Sequence, residues 1–103
     1  MTENRRTDNR APMLLHVEWE GASGRYEART SDLSIGGCFV DTMAQVLEGE
    51  IIQFRILLPE GDHVDTKGVV AYSYPNIGFG IRFTDISADD ICKLERLLEG
   101  RTD

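Results

Sequence analysis

The chain has 103 residues, 41% of them hydrophobic, and a formal net charge of −7. That length suits a single domain, and that composition suits a packed core rather than a disordered chain. The acidic balance argues against DNA or RNA as a partner, which calls for a broad basic surface, and no apolar run reaches the roughly 18 residues of a membrane-spanning helix.

The first element in chain order is basic. Arg5, Arg6 and Arg10 stand against Glu3 and Asp8, which leaves residues 1–10 at +1 and the remaining residues at −8. Residues 1–11 are therefore expected to form a flexible basic arm, and residues 12–100 the folded domain. No apolar stretch near the N-terminus reads as a signal peptide, so a cytoplasmic location is expected, with no insertion into a membrane.

From Met13 onward the hydrophobic period is two. Leu15, Val17 and Trp19 alternate with His16, Glu18 and Glu20 as a first half-buried strand, with Trp19 on its inward side. Residues 21–24 read as a turn, and Tyr26, Ala28 and Thr30 alternate with Arg25, Glu27 and Arg29 as a second strand completing a hairpin. Residues 32–37 read as a loop, followed by a third strand over Cys38–Thr42. Ile52, Phe54, Ile56 and Leu58 mark the inward side of a fourth strand, closed by the turn chemistry of Pro59, Gly61 and Asp62. Val64, Thr66, Gly68, Val70 and Tyr72 share one side of a fifth strand. Phe79, Ile81 and Phe83 share one side of a sixth, with Gly78, Gly80 and Arg82 on its other side. Arg25 and Arg82 read as solvated charges.

The period then changes. Ser87 with Asp90 three residues on resembles a capping box, and Ile91, Leu94, Leu97 and Leu98 form one apolar stripe of a helix over about 87–99, with Gly100 as its stop. Six short strands and one helix predict an all-β fold with a terminal helix. The architecture expected is a six-stranded antiparallel barrel, since closure removes exposed strand edges, with the helix covering one end or side.

Chemistry of the catalytic kind finds no support. Cys38 and Cys92 lie 54 positions apart with no metal-ligand spacing and read as two buried free thiols. His16 and His63 sit in unrelated segments, so no metal is expected. There is no nucleophile–base pair and no phosphate-binding loop, so neither an enzyme nor a bound cofactor is expected.

Two short motifs remain, each ordinary alone. One is Arg6-x-x-x-Arg10 in the arm; the other is Asp32-x-Ser34-x-x-Gly37 in the loop after the second strand. The glycines there allow either a turn or close approach of backbone to a ligand. Taken in order on six strands and a helix, the pair resembles the signature of the PilZ domain family. Gly68-Val-Val-Ala-Tyr72 and Gly78-Phe-Gly-Ile-Arg-Phe83 resemble that family's closing strands, with Tyr72 where a tryptophan is common.

The resemblance implies a receptor for the bacterial second messenger cyclic di-GMP, and the residues suit that ligand. Arginine pairs with phosphate, bonds the O6/N7 edge of guanine and stacks on bases. Asp32 accepts from guanine N–H groups, and Ser34 donates to phosphate or base. Arg5, Arg6, Arg10, Asp32, Ser34, Gly36, Gly37 and Tyr72 are the expected ligand contacts, with the arm as a clamp. In PilZ relatives an arginine at the position of Arg5 accompanies two bound ligands, so two per chain are expected. A separate effector protein would carry the signal onward, in motility, biofilm formation or another process. The alternative reading is a PilZ-fold adaptor that acts through protein contacts with little or no nucleotide binding.

Overall fold

A computed structural model of the chain describes residues 11–22 and 24–100. The strands are β1 (Ala11–Pro12), β2 (His16–Gly21), β3 (Gly24–Leu33), β4 (Gly37–Asp41), β5 (Ile51–Leu57), β6 (His63–Tyr74) and β7 (Gly78–Phe83), and helix α1 spans Ala88–Gly100. All pairings are antiparallel, in the order β1-β3-β2-β5-β6-β7-β4, and β4 pairs back to β3. Strands β2 to β7 thus close into the expected six-stranded barrel. Beyond the expectation, the two-residue β1 adds to the outer edge of β3.

The barrel interior collects the predicted alternation. Val17, Trp19, Ile52, Phe54, Ile56, Val64, Val70, Phe79 and Ile81 are all buried in one cluster. Trp19 stacks on Tyr26, its cross-strand partner, and meets Phe79 edge-on, both with ring centroids 5.2 Å apart. Its Nε1 is buried with no hydrogen-bond partner among the described residues. Buried Thr30 ties β3 to the entering chain: its hydroxyl donates to the Met13 carbonyl at 2.8 Å and accepts the Leu15 N–H at 3.0 Å.

Both barrel ends are covered. Residues 42–50 cross from β4 to β5 past β7 and β6, inserting Val46 into the core. Glu50 fastens this crossing, accepting the Leu47 N–H through Oε1 and the Ala22 N–H through Oε2, each at 3.1 Å. At the opposite end, α1 begins at the predicted cap, where the Ser87 hydroxyl accepts the Asp90 N–H at 3.1 Å. Leu94 is fully buried, and Leu97 and Leu98 pack on the core.

Charges pin the helix to the β5–β6 turn, where Gly61 adopts φ +96°. Lys93 donates to the His63 carbonyl at 3.1 Å and pairs with Asp62 and Asp90. The backbone N–H of His63 and the Lys93 ammonium hold the Asp62 carboxyl below the usual carboxylate range. Beside it, a bidentate bond from Arg55 does the same for Asp65, with Nε–Oδ1 at 2.6 Å and Nη2–Oδ2 at 3.0 Å.

One thiol departs from the expectation. Cys38 is buried in β4, but Cys92 is exposed. One residue round the helix from Ile91, it lies about 100° off the apolar stripe and faces solvent. The solvated position follows from helical geometry that a count of apolar residues does not register.

Candidate functional site

Simple alternation would aim both Asp32 and Tyr72 into the barrel. On β3, Tyr26, Ala28 and Thr30 face inward, and period two carries that face on to position 32. On β6, Val64, Thr66, Gly68 and Val70 do the same toward position 72. The structure corrects both. The register shifts between Thr30 and Asp32 on β3, and between Val70 and Tyr72 on β6. Ser31 and Ala71 are the extra residues, both exposed. Each bulge turns the next side chain to the outer face, as bulges do where a site must be re-aimed.

The outcome is one row across four strands. Asp32 on β3 pairs with Phe39 on β4, Phe39 with Gly80 on β7, and Gly80 with Tyr72 on β6. Asp32 is therefore not in a loop, as its motif suggested, but paired within β3. Its Oδ1 accepts the Phe39 N–H at 3.1 Å. On its other side it pairs with Pro12 of β1, so the N-terminal arm is rooted beside Asp32. Arg5, Arg6 and Arg10 themselves lie outside the described residues.

Tyr72 belongs to a group of three rings. Its ring lies 6.1 Å from that of Phe39 and 5.5 Å from that of Tyr74, and Phe39 and Tyr74 are 6.4 Å apart. Glycines floor this group. A Cβ on Gly80 would stand 2.4 Å from the Tyr72 ring, and one on Gly78 would stand 2.7 Å from the Phe39 ring. The covering rings explain why Gly78 and Gly80 are buried on what is otherwise the outer side of β7. Phe39 and Tyr74 were not among the sequence candidates. The mark they leave in the sequence is the pair of glycines at positions 78 and 80 of β7, which the aromatic residues of its neighbours overlie.

The Asp32–Gly37 motif makes a tight hairpin. The Ser34 N–H bonds the Gly37 carbonyl at 2.9 Å, leaving only Ile35 and Gly36 at the tip. The Ser34 side chain is buried. Its hydroxyl donates to the Gly37 carbonyl and accepts the Gly36 N–H, both at 3.2 Å. The proton expected to serve a ligand is thus directed into the turn. Gly36 is exposed, and its carbonyl accepts the Phe83 N–H at 2.9 Å. Gly37 is buried, and a Cβ there would lie 2.1 Å from the Ile81 carbonyl oxygen. The glycine is required by the close approach of β4 to β7, a demand independent of any ligand.

A cleft of about 470 Å³ lies elsewhere, on the outer side of β2, β5 and β6, lined by Glu18, Glu20, Arg25, Gln53, Arg55 and Asp65 among others. It contains none of the motif residues, and its charges are of both signs. The motif face is the better candidate because its acid, rings and glycine floor are brought together by two separate bulges. Among the described residues no cluster of His, Cys, Asp and Glu suits a metal ion, and no helix is long and apolar enough to cross a membrane.

A closed six-stranded antiparallel barrel, extended by one short strand and ending in a single helix, defines a small-barrel class, here with Asp32 and Tyr72 on the outer wall rather than in the lumen. The chain belongs to the PilZ domain family, which it matches over residues 4–100. The fold is similar to that of Bacillus subtilis MotI/DgrA, an inhibitor of motility (TM-score 0.78, 21% identity, 90% of this chain and 48% of that one). It is similar to the PilZ domain of CeSA from a cellulose-synthesizing bacterium (TM-score 0.67, 23% identity, 91% and 98%). It is also similar to YcgR from Escherichia coli, solved in complex with c-di-GMP (TM-score 0.74, 18% identity, 88% and 43%). The chain thus spans about half the length of MotI and of YcgR, and nearly all of the CeSA domain. No curated protein matches its sequence.

Proposed function

We propose that this chain is a non-enzymatic receptor for cyclic di-GMP, bound on the outer face of β3, β4, β7 and β6 and closed over by the arginines of the N-terminal arm. The observation that carries the reading is the Asp32–Phe39–Gly80–Tyr72 row, which puts a carboxylate and an aromatic platform on one face. A carboxylate accepts from guanine N1–H and N2–H₂, and an aromatic face stacks a base. Three strand spacings separate the ends of the row, about 14 Å, a span suited to a dinucleotide lying across it.

The root of the arm supports the clamp. Ala11 and Pro12 pair with Leu33 and Asp32. At about 3.3–3.6 Å per residue, the chain back to Arg6 spans no more than about 18 Å, so Arg6 and Arg10 fall within range of the row. Their guanidiniums supply the counter-charge that the acidic body lacks. We assign the relay of the signal to a separate effector protein.

Isothermal titration with cyclic di-GMP tests the proposal. Saturable binding is expected, with two ligands per wild-type chain and one per Arg5→Ala chain. No binding by the wild type would leave the adaptor reading in its place.

A further inference from the structure

We infer that Arg82 is a further ligand-binding residue, a guanidinium held on the barrel wall rather than on the arm. Resting on the receptor reading, the inference extends the site by one row. Arg82 is the exposed outward residue of β7, paired with Gly37 on β4 and Val69 on β6. It stands two residues along the strand from Gly80, so its row runs beside the Asp32–Tyr72 row at about 7 Å.

Its surroundings separate it from an ordinary surface arginine. The other arginines of the described strands each stand opposite an acid: Arg25 opposite Glu20, Arg29 opposite Asp41 and Arg55 opposite Asp65. Arg55 bonds its acid in a bidentate pair. Arg82 has no ion pair or hydrogen bond through its side chain among the described residues. Both cross-strand neighbours are non-ionic. One of them, Gly37, has no side chain to engage the guanidinium. One row along β7 lies the ring group, and the β4 neighbour Gly37 closes the Asp32–Gly37 hairpin, both parts of the proposed site.

A strand-borne guanidinium has its backbone fixed in the sheet, so only side-chain freedom is lost on contact. Arg82 would therefore serve as a preformed anchor for a phosphate or for the O6/N7 edge of guanine. Lys67 supplies the comparison. It is an exposed cation on β6, its ammonium also without a partner among the described residues, two residues beyond Val69 on the side away from Tyr72. A general electrostatic pull would engage both cations, and a contact would engage Arg82 alone.

Titration calorimetry with cyclic di-GMP on wild type, Arg82→Ala and Lys67→Ala, with thermal melts of each, decides the matter. Arg82→Ala should lose about tenfold or more in affinity with its melting temperature unchanged, while Lys67→Ala stays within about twofold of the wild type. If Arg82→Ala fails to fold, Arg82→Gln keeps the aliphatic stem and carries the same expectation. Unchanged affinity in the Arg82 variant, or an equal loss in Lys67→Ala, overturns the contact while leaving the receptor reading intact. A wild type that binds no cyclic di-GMP overturns the receptor reading, and the assignment of Arg82 with it.

Discussion

Asp32 and Tyr72 lie on the same outer row of the barrel with two strands, β4 and β7, between them, and each directly follows a β-bulge. In an unbroken period-two strand through residues 31 and 71, both side chains would face a core already filled by Phe79, Ile81 and Val70. The bulges therefore separate two tasks on one strand: the residues before them build the core, and the residue after each builds the site.

The arm is the first element to test. Arg6→Ala and Arg10→Ala should each weaken cyclic di-GMP binding by about tenfold or more, the equivalent of roughly 1.5–3 kcal/mol for a charge-assisted bond. Their unfolding midpoints should match the wild type, because the apolar pattern that builds the core begins only at Met13. Chemical denaturation beside calorimetry measures both; a double variant with full affinity removes the clamp.

Two glycines should fail in different ways. At Gly37 an added Cβ meets the Ile81 carbonyl oxygen, which is backbone and cannot step aside. Gly37→Ala should therefore lower the melting temperature whether or not ligand is present. At Gly80 the added Cβ meets the Tyr72 ring, which is half-buried and free to tilt outward. Gly80→Ala should keep most of the stability and lose binding through a displaced platform. A Gly37→Ala protein as stable as the wild type would contradict the close β4–β7 approach.

Asp32 carries two roles that substitution can separate. Asp32→Ala removes the acceptor of the Phe39 N–H, which should cost about 1 kcal/mol in equilibrium unfolding in addition to weakening ligand binding. Asp32→Asn keeps an acceptor oxygen and should unfold near the wild-type midpoint. Its binding deficit, smaller than that of Asp32→Ala, then reports the guanine contact by itself. Equal stability losses in both variants would show that the bond to Phe39 contributes little.

The helix anchor makes acid stability specific. Asp62 and Asp65 have carboxyls held low, so their contribution is present above the unfolded value, about 3.9, and is lost as pH falls through the folded ones. Melting temperature should fall between about pH 4 and lower values, and Lys93→Met should flatten the part owed to Asp62. Both carboxylates are about half exposed, so added salt should shrink the difference. An identical acid profile in wild type and Lys93→Met would detach Lys93 from helix docking.

Much of this protein was written locally. Period-two alternation at 15–19, 52–58 and 64–70 dictates strands, because any other conformation would leave those apolar faces in water. Ser87, Asp90 and the stripe through Leu94 dictate a capped helix for the same reason. The pairing of the two motifs was enough to place the chain in the PilZ family. What only the tertiary structure decided is where those motifs point. A bulge is a mismatch between two paired strands, so it exists in the register and not in either strand alone. The outward turn of Asp32 and Tyr72, the ring group over Gly78 and Gly80, and the isolation of Arg82 beside Gly37 all follow from which residues stand opposite one another. Gly37 shows the same division: its lack of a side chain can be read in the chain, but the Ile81 carbonyl that demands it arrives from a strand more than forty residues away.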